Sequence, residues 1–451
     1  MEIMPATRTI LILEDNDERI AAFEKAVPTL GGGFQLRLWH DAPSMIKECE
    51  AYFPTAALIS LDHDLNPRPG VTADPGTGLD VAKFLAECRP ACPAIIHSSN
   101  TERAWSMYNE LRFADWIIER VGPMGIVWVE TIWLRVARKL MAGHPNSWPA
   151  RLPVDHDSRM ERAMLAFDGL SLGDGFGECF FASPLTIELR LQHRDPPPPP
   201  WFVTDDTMMA LSIVRCLKRY GHIEREALAH AFAREYAREP QRGYGGTAHG
   251  ILRAIGEGMP WQTAAGSVFD GQGSCGNGGA MRVAPVGAYF ADDLDRVVAE
   301  ASASAEVTHA HPDGQTGAVA VALAAAWMVR EGEHQTQTSH AMIEFVLERI
   351  PRTETYYRLK KALELPLNLS SRTAASVLGN GSQVIASDTV PFCLWCAAGH
   401  AQDYTEALWT TVSGLGDRDT TCAIVGGIVA LNAGRNAIPS GWLQARERVE
   451  I

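Results

Sequence analysis

Thr204-Asp205-Asp206-Thr207-Met208-Met209-Ala210-Leu211 opens an apolar helical run behind a pair of aspartates, and Gly416-Asp417-Arg418-Asp419-Thr420-Thr421-Cys422-Ala423 repeats the arrangement near the other end of the chain. A lone carboxylate buried beside an apolar run is too costly to keep charged, so four that converge need cations between them. The side chains on offer are carboxylates and threonine hydroxyls, with no Cys or His among the acids. Such an all-oxygen set selects a hard ion, Mg²⁺ or Mn²⁺, over zinc. The plainer alternative is a pair of Asp-rich helix N-caps. One cap needs one Asp, however, and each string carries two plus a Thr.

Outward from these strings the pattern stays helical. Apolar residues recur at spacings of three and four over Ile223–Arg238, Leu294–Ala305, Thr316–Val329 and Asp403–Val412. Gly and Ala are frequent in these runs, which predicts closely packed helices, and no strand ladder is evident. Residues 157–451 therefore read as one all-α domain. The proline run Pro196–Pro200 is stiff polyproline II and belongs to a surface loop within it. The Cys393-x-x-Cys396 pair lies in an apolar helical stretch and is assigned to core packing.

Ahead of this domain the rhythm changes. Ile10–Leu13, Gln35–Trp39, Ala57–Leu61 and Ala94–His97 read as strands, separated by helical stretches such as Glu18–Ala26 and one beginning near Gly78. Alternation of this kind predicts a doubly wound α/β domain over residues 1–143, with a parallel sheet and its functional edge at the strand C-termini. Glu14 and Asp15 follow the first strand, Asp62-His63-Asp64 the third, and Ser98-Ser99-Asn100 the fourth. Helical patterning fails over His144-Pro145-Asn146-Ser147-Trp148-Pro149, so residues 144–156 are expected to be a linker.

Composition narrows the class. A net charge of −14 argues against a protein built to grip duplex nucleic acid and fits an acidic metal site. Nine cysteines in no paired pattern point to a reducing cytoplasm, and no apolar run approaches a membrane span. Nothing in the sequence signals an oligomeric state.

The strand-end residues resemble those of a response-regulator receiver domain, over roughly residues 8–141. The resemblance implies that Glu14 and Asp15 hold Mg²⁺, that Asp62 accepts phosphate, and that Ser98 or Ser99 senses it. The family's lysine at the end of the fifth strand is absent, with Arg120-Val121-Gly122-Pro123 in its place. Leu61-Asp62-His63-Asp64-Leu65 and His97-Ser98-Ser99-Asn100 are closer to a receiver-derived group proposed to process cyclic phosphates. There His63 would move protons beside the acids Asp62 and Asp64.

The helical segment resembles the ADP-ribosylglycohydrolase superfamily through six motifs in order. They are Gly173-Asp174-Gly175-Phe176-Gly177-Glu178, Thr204-Asp205-Asp206-Thr207, Arg242-Gly243-Tyr244-Gly245, the run from Gly273 to Arg282, Thr308-His309-Ala310-His311-Pro312, and Gly416-Asp417-Arg418-Asp419-Thr420. The resemblance implies a binuclear Mg²⁺ site, with Mn²⁺ possible, ligated by Thr204, Asp205, Asp206, Asp417, Asp419 and Thr420. It implies hydrolysis of an ADP-ribosyl bond at ribose C1″ through an oxocarbenium-like state. Glu178, Asp206 and Asp419 are the expected catalytic residues, with Glu178 the candidate base. Many relatives carry their glutamate several residues later, where this chain has Phe181. Asp174 is expected to make structural hydrogen bonds. Ser274, Gly276, Asn277 and Gly278 would cradle the diphosphate, Tyr244 and Phe269 would stack on adenine, and His309 would bond within the site. The substrate would be an ADP-ribosylated protein, a nucleic-acid end or an ADP-ribose metabolite. The alternative is a catalytically weak ADP-ribose sensor regulated by a phosphorylatable receiver.

Overall fold

The computed structural model describes residues 8–30, 33–68, 70, 72–114, 116–123, 127–142, 152–331 and 339–449. The chain divides into two compact units, 1–151 and 152–451. Residues 144–151 of the expected linker lie outside the described residues, and the first helix of the second unit starts at His156, the linker's last expected residue.

The first unit is a five-stranded sheet of β1 (Thr9–Leu13), β2 (Gln35–Trp39), β3 (Ala56–Leu61), β4 (Ala94–His97) and β5 (Ile118–Val121). Its order is β2-β1-β3-β4-β5, parallel throughout. Alternate side chains of each strand feed opposite cores. Leu11, Leu13, Ile59, Leu61 and Ile96 pack with α2 (Ala42–Glu48), α3 (Gly78–Glu87) and α4 (Thr101–Phe113). Ile10, Ile12, Leu58 and Ile95 pack with α1 (Asp17–Ala26) and with α5 (Leu134–Ala142), which a π-helical turn at Val129–Trp133 precedes. Two buried faces account for strands that are apolar along their whole length. The order reverses between β1 and β3, so the crevice beyond their C-termini receives Glu14, Asp15 and Asp62.

The second unit is helical, and among its described residues only isolated bridges, Trp201 with Arg446 and Gly276 with Ile385, break the pattern. Its axis is a pair of buried helices, His156–Glu178 and Arg418–Ala433. Gly169, Gly173 and Gly177, one turn apart, form the seam between them. A Cβ at Gly169 would stand 2.3 Å from the Gly426 carbonyl oxygen, at Gly173 2.1 Å from that of Cys422, and at Gly177 2.2 Å from that of Arg418. Backbone meets backbone along this line, and only glycine permits it. The seam therefore brings Glu178, at the end of one helix, to Asp419, at the start of the other.

Helices Asp205–Tyr220, Ala284–Tyr289, Pro312–Glu331 and Ala386–Gly399 enclose the pair. Cys393 and Cys396 are buried in the last of these. The proline run leads to Trp201, whose backbone pairs with Ala445 and Glu447 and whose ring packs on Phe176 and Trp442. No helix of the described residues is long and apolar enough to cross a membrane.

Candidate functional site

In the helical unit both acidic strings sit at helix starts and converge on one oxygen. Thr204 caps the helix Asp205–Tyr220. Its Oγ1 lies 3.1 Å from Asp206 Oδ2, and Thr420 Oγ1 approaches the same oxygen at 3.5 Å. Beneath them Asp174, fully buried, accepts from Thr204 N at 2.9 Å and Thr204 Oγ1 at 2.8 Å, and from the Thr207 amide at 3.2 Å. Asp174 is thus the floor that shapes the first string. Asp417 is placed by Gly379-Asn380-Gly381, whose Asn380 carbonyl accepts from Asp417 N at 3.0 Å. Gly381 has a φ of +84°, and a Cβ there would stand 2.6 Å from Asp417 Cβ.

The acids are costly as they stand. Burial, then the fields of Asp174 and Asp419, push Asp205 and Asp206 well above the usual carboxylate range. Burial and then Asp419 do the same to Asp417. Among the described residues no Lys or Arg forms an ion pair with Asp205, Asp206, Asp417 or Asp419. Asp206 Oδ1 and Asp419 Oδ1 are buried without any hydrogen-bond partner. Buried, mutually repelling and partly orphaned oxygens are what a hard divalent cation satisfies. The donors present therefore fit the ion expected of them.

Glu178 ends its helix half-buried, its carboxyl pushed up by burial and then by Asp419, with Arg418 opposing. His309 is buried with Nδ1 2.8 Å from Thr308 Oγ1, which accepts from Arg282 Nη2 at 2.9 Å. Arg282 is fully buried, lies 4.4 Å from the Phe232 ring centroid, and donates to the Ser304 carbonyl at 2.7 Å. Burial, then Arg282, depresses His309 to about 3, so the imidazole is neutral. Its ring lies on the glycine loop: a Cβ at Gly276 would stand 3.1 Å from Nε2 and one at Gly278 2.8 Å from Cε1. These two glycines make room for His309. Gly271 and Gly273, with φ of +84° and +76°, turn the loop. The helix behind it, Gly278–Met281, is a single turn.

Asn277 gives its amide to Asp417 Oδ2 at 2.8 Å and to Thr389 Oγ1 at 3.1 Å, tying the loop to the second string. Ser274 Oγ accepts from Gly276 N at 3.1 Å. Tyr244 is buried edge-on to Tyr236, with its hydroxyl unpartnered and raised by burial and then Asp205. Phe269 is exposed, at a φ of +53°. Arg282 enters the sequence reading only as the last residue of a motif, without a role, and the loop at Asn380 does not enter it; a Gly-x-Gly turn is that loop's one sequence signal.

In the first unit Glu14, Asp15 and Asp62 bring one ligand atom each within 4.8 Å of one another, the only such group among the described residues. No three acids of the helical unit approach as closely among the described residues. Glu14 Oε1 accepts from Asp15 N and Asn16 N at 3.1 and 2.9 Å. Its Oε2 lies 3.3 Å from His97 Nε2, both side chains fully buried. His97 is held by Ser60 Oγ at 2.7 Å, which accepts from Trp133 Nε1 at 2.9 Å, and it stacks on Trp128. Burial would raise Glu14, but His97, the Asn16 amide and Arg19 outweigh it and hold the carboxyl low. Asp62 is raised by burial, with Glu14 adding to it. His63 is buried with Nδ1 2.8 Å from Asp64 Oδ1, while Asp64 itself is exposed and 3.7 Å from Arg103. Ser98 is buried and accepts from Asn100 N at 3.2 Å. Arg19 of α1 and His97 at the end of β4 complete this pocket; the sequence marks His97 only as the start of a strand-end string, and Arg19 not at all.

Both units match known protein families. Residues 11–113 match the cyclic-phosphate processing receiver domain. The human ADP-ribosylhydrolase ARH3 is 28% identical over 337 residues, covering 64% of this chain and 91% of that protein. The mouse ADP-ribosylhydrolase ARH3 is 30% identical over 280 residues, 55% of this chain and 74% of that protein. The ADP-ribosyl-[dinitrogen reductase] glycohydrolase of Rhodospirillum rubrum is 26% identical over 305 residues, 64% of this chain and 90% of that protein. Residues 155–451 match the ADP-ribosylglycohydrolase family from end to end of the helical unit, and the chain, an ADP-ribosyl-hydrolysing enzyme with a receiver-like domain ahead of it, belongs to that family.

Proposed function

We propose that the helical unit hydrolyses the ribose C1″ bond of an ADP-ribosyl group with two Mg²⁺ ions, Mn²⁺ serving in their place. Thr204, Asp205, Asp206, Asp417, Asp419 and Thr420 would hold them. The observation that carries this is the orphaned pair Asp206 Oδ1 and Asp419 Oδ1, buried in a pocket where burial and neighbouring carboxylates hold Asp205, Asp206 and Asp417 high. Bound there, the ions supply electrophilic polarisation of ribose hydroxyls and of water.

The chain's own groups do the rest. Glu178, its carboxyl raised toward the range of a useful base, takes the proton of the attacking water. His309, neutral and fixed by Thr308 and Arg282, presents Nε2 beside the glycine loop, where it bonds substrate oxygen without adding charge. Ser274 and the backbone of Gly276 to Gly278 face the diphosphate, and Phe269, exposed at the loop, stacks on the adenine.

The name of the Rhodospirillum rubrum relative, which specifies ADP-ribosyl-[dinitrogen reductase], points to ADP-ribosylated protein as one substrate class. The receiver-like unit widens it: Asp62, His63 and Asp64 beside the Glu14 and Asp15 acids suit the opening of a cyclic phosphate. One substrate class would then serve both units, such as ADP-ribose bearing a cyclic phosphate or an ADP-ribosylated RNA end. A passive ADP-ribose sensor is disfavoured, since binding alone does not require both acidic strings. The experiment is turnover by the full chain on ADP-ribosylated proteins, nucleic-acid ends and small metabolites, with Asp206→Ala and His63→Ala variants alongside. Release of ADP-ribose lost with Asp206→Ala supports the reading. Binding of ADP-ribose with no turnover of any of them would replace it with the sensor.

A further inference from the structure

The pocket of the first unit already contains a cation, and it belongs to the chain. Arg19, in the first turn of α1, places Nη1 3.0 Å from Asp62 Oδ2 and 3.5 Å from Glu14 Oε2. Its guanidinium lies 6.0 Å from the centroid of the Trp128 ring, and its side chain is 28% exposed, against 0% for Glu14 and 5% for Asp62. One positive charge cannot balance three carboxylates whose ligand atoms lie within 4.8 Å. Glu14 Oε2 completes no hydrogen bond, and neither does His97 Nε2 facing it. A half-compensated buried cluster of this kind favours a stronger cation over the one it has.

We propose that Arg19 is the phosphate-binding residue of this pocket, parked on Asp62 and Glu14 until a divalent cation takes their oxygens. This rests on the reading of the pocket as a cation site. A divalent ion and the guanidinium would compete for Asp62 Oδ2 and Glu14 Oε2, and they repel each other. Arg19 yields because its long stem already reaches water. Three carboxylates and one divalent ion leave a net negative charge, so an anionic phosphoryl group needs another cation beside it. The displaced Arg19 stands at that place, and its planar fork matches two phosphoryl oxygens. Other cations near these strand ends are engaged elsewhere. Arg120 of β5 lies 4.2 Å from the centroid of the Trp105 ring, Arg103 reaches Asp64, and Arg68 is held by Asp17 and His40. Among the described residues Arg19 alone pairs with two of the three acids.

The test uses the full chain carrying Asp206→Ala and Asp419→Ala, so that Mn²⁺ bound tightly reports the first unit. Binding is counted by electron paramagnetic resonance with and without inorganic phosphate. Adding Arg19→Met should tighten Mn²⁺ about ten-fold, the worth of one charged hydrogen bond released from competition. Phosphate should tighten Mn²⁺ further when Arg19 is present, by linkage, and have no such effect with Arg19→Met. Arg19→Lys, which keeps the charge without the fork, should retain part of the phosphate effect. Mn²⁺ affinity unchanged or weakened by Arg19→Met, or a phosphate effect that survives it, overturns the role of Arg19 and leaves the cation site standing. No Mn²⁺ bound, in a chain whose Glu14→Gln variant behaves identically, removes the cation site and the proposal with it.

Discussion

Gly177→Ala tests the seam that joins the two halves of the helical site. The added methyl would sit 2.2 Å from the Arg418 carbonyl oxygen, 2.6 Å from its carbon and 2.8 Å from Asp419 Cα. Ordinary carbon–oxygen contact begins above about 3.2 Å, so the helices His156–Glu178 and Arg418–Ala433 must part by about 1 Å at this point. No flexible side-chain tip can yield first, because the three nearest atoms are all backbone. Overpacking of this kind costs about 1–3 kcal/mol, and backbone contact places it at the upper end. At about 2–4 °C per kcal/mol for a unit this large, thermal unfolding should fall by about 5–10 °C. The displacement falls on Asp419 itself, with Glu178 next to the substituted residue, so kcat/KM should drop about 100-fold or more. Gly250→Ala is the control: its Cβ meets nothing within 4 Å on an exposed helical turn. It should leave activity intact and gain up to about 1 kcal/mol of helix propensity. Scanning calorimetry and ADP-ribose release on the two variants decide the matter. Wild-type melting and turnover for Gly177→Ala would refute the seam as the device that sets the site.

Asp206→Ala and Asp419→Ala should each abolish turnover while leaving the far-ultraviolet circular dichroism of the fold unchanged, and chelation of the wild type should reproduce the loss. Stability without metal should fall as pH rises. Asp205, Asp206, Asp417 and Asp174 have folded-state pKa values raised above their unfolded ones, so the folded chain binds more protons and deprotonation weighs against it. The fall should begin near the ordinary carboxylate value and run through about 7, where Asp174 and Asp417 stand; melting curves in chelator from pH 5 to pH 8 read it, and added Mg²⁺ should flatten it. Arg242→Ala should cost about 2–4 kcal/mol by urea denaturation, because it removes both guanidinium bonds to Glu447, which keeps only the Val203 amide, takes the donor from the Val203 carbonyl, and loosens the Asp205 amide held by the Arg242 carbonyl.

The parts of the fold set by local chemistry were legible in the sequence. The apolar strands with acids at their ends predict the parallel sheet, and the strand limits at Gln35–Trp39 and Ala94–His97 agree with the structure. Helices follow their periodicity, with small shifts where caps rule: the stretch expected from Ile223 begins at Arg225 because Glu224 caps it. Tertiary relations were not legible. Nothing in the spacing of Gly169, Gly173 and Gly177 names Arg418 or Cys422 as the surface they meet. The glycines at 276 and 278 suggest room for a ligand, whereas the room is taken on one side by His309. Asn277 looks like a diphosphate donor and spends its amide on Asp417. Arg19 reaches Glu14 from the first turn of α1, and His97 reaches it from the end of β4, across the intervening strand β3. Apart from the contact of Arg19 with Glu14, which is near in sequence, the missing information was a contact between segments far apart in the chain.

The most direct measurement is single-turnover hydrolysis of an ADP-ribosylated protein by chelator-stripped enzyme, with Mg²⁺ or Mn²⁺ added back, in water enriched in the heavy oxygen isotope. Free ADP-ribose should appear only after metal is restored, and the heavy oxygen should be on its C1″ hydroxyl at early times. Full turnover by the stripped enzyme, or heavy oxygen found on the acceptor rather than on ADP-ribose, would contradict metal-dependent cleavage at ribose C1″.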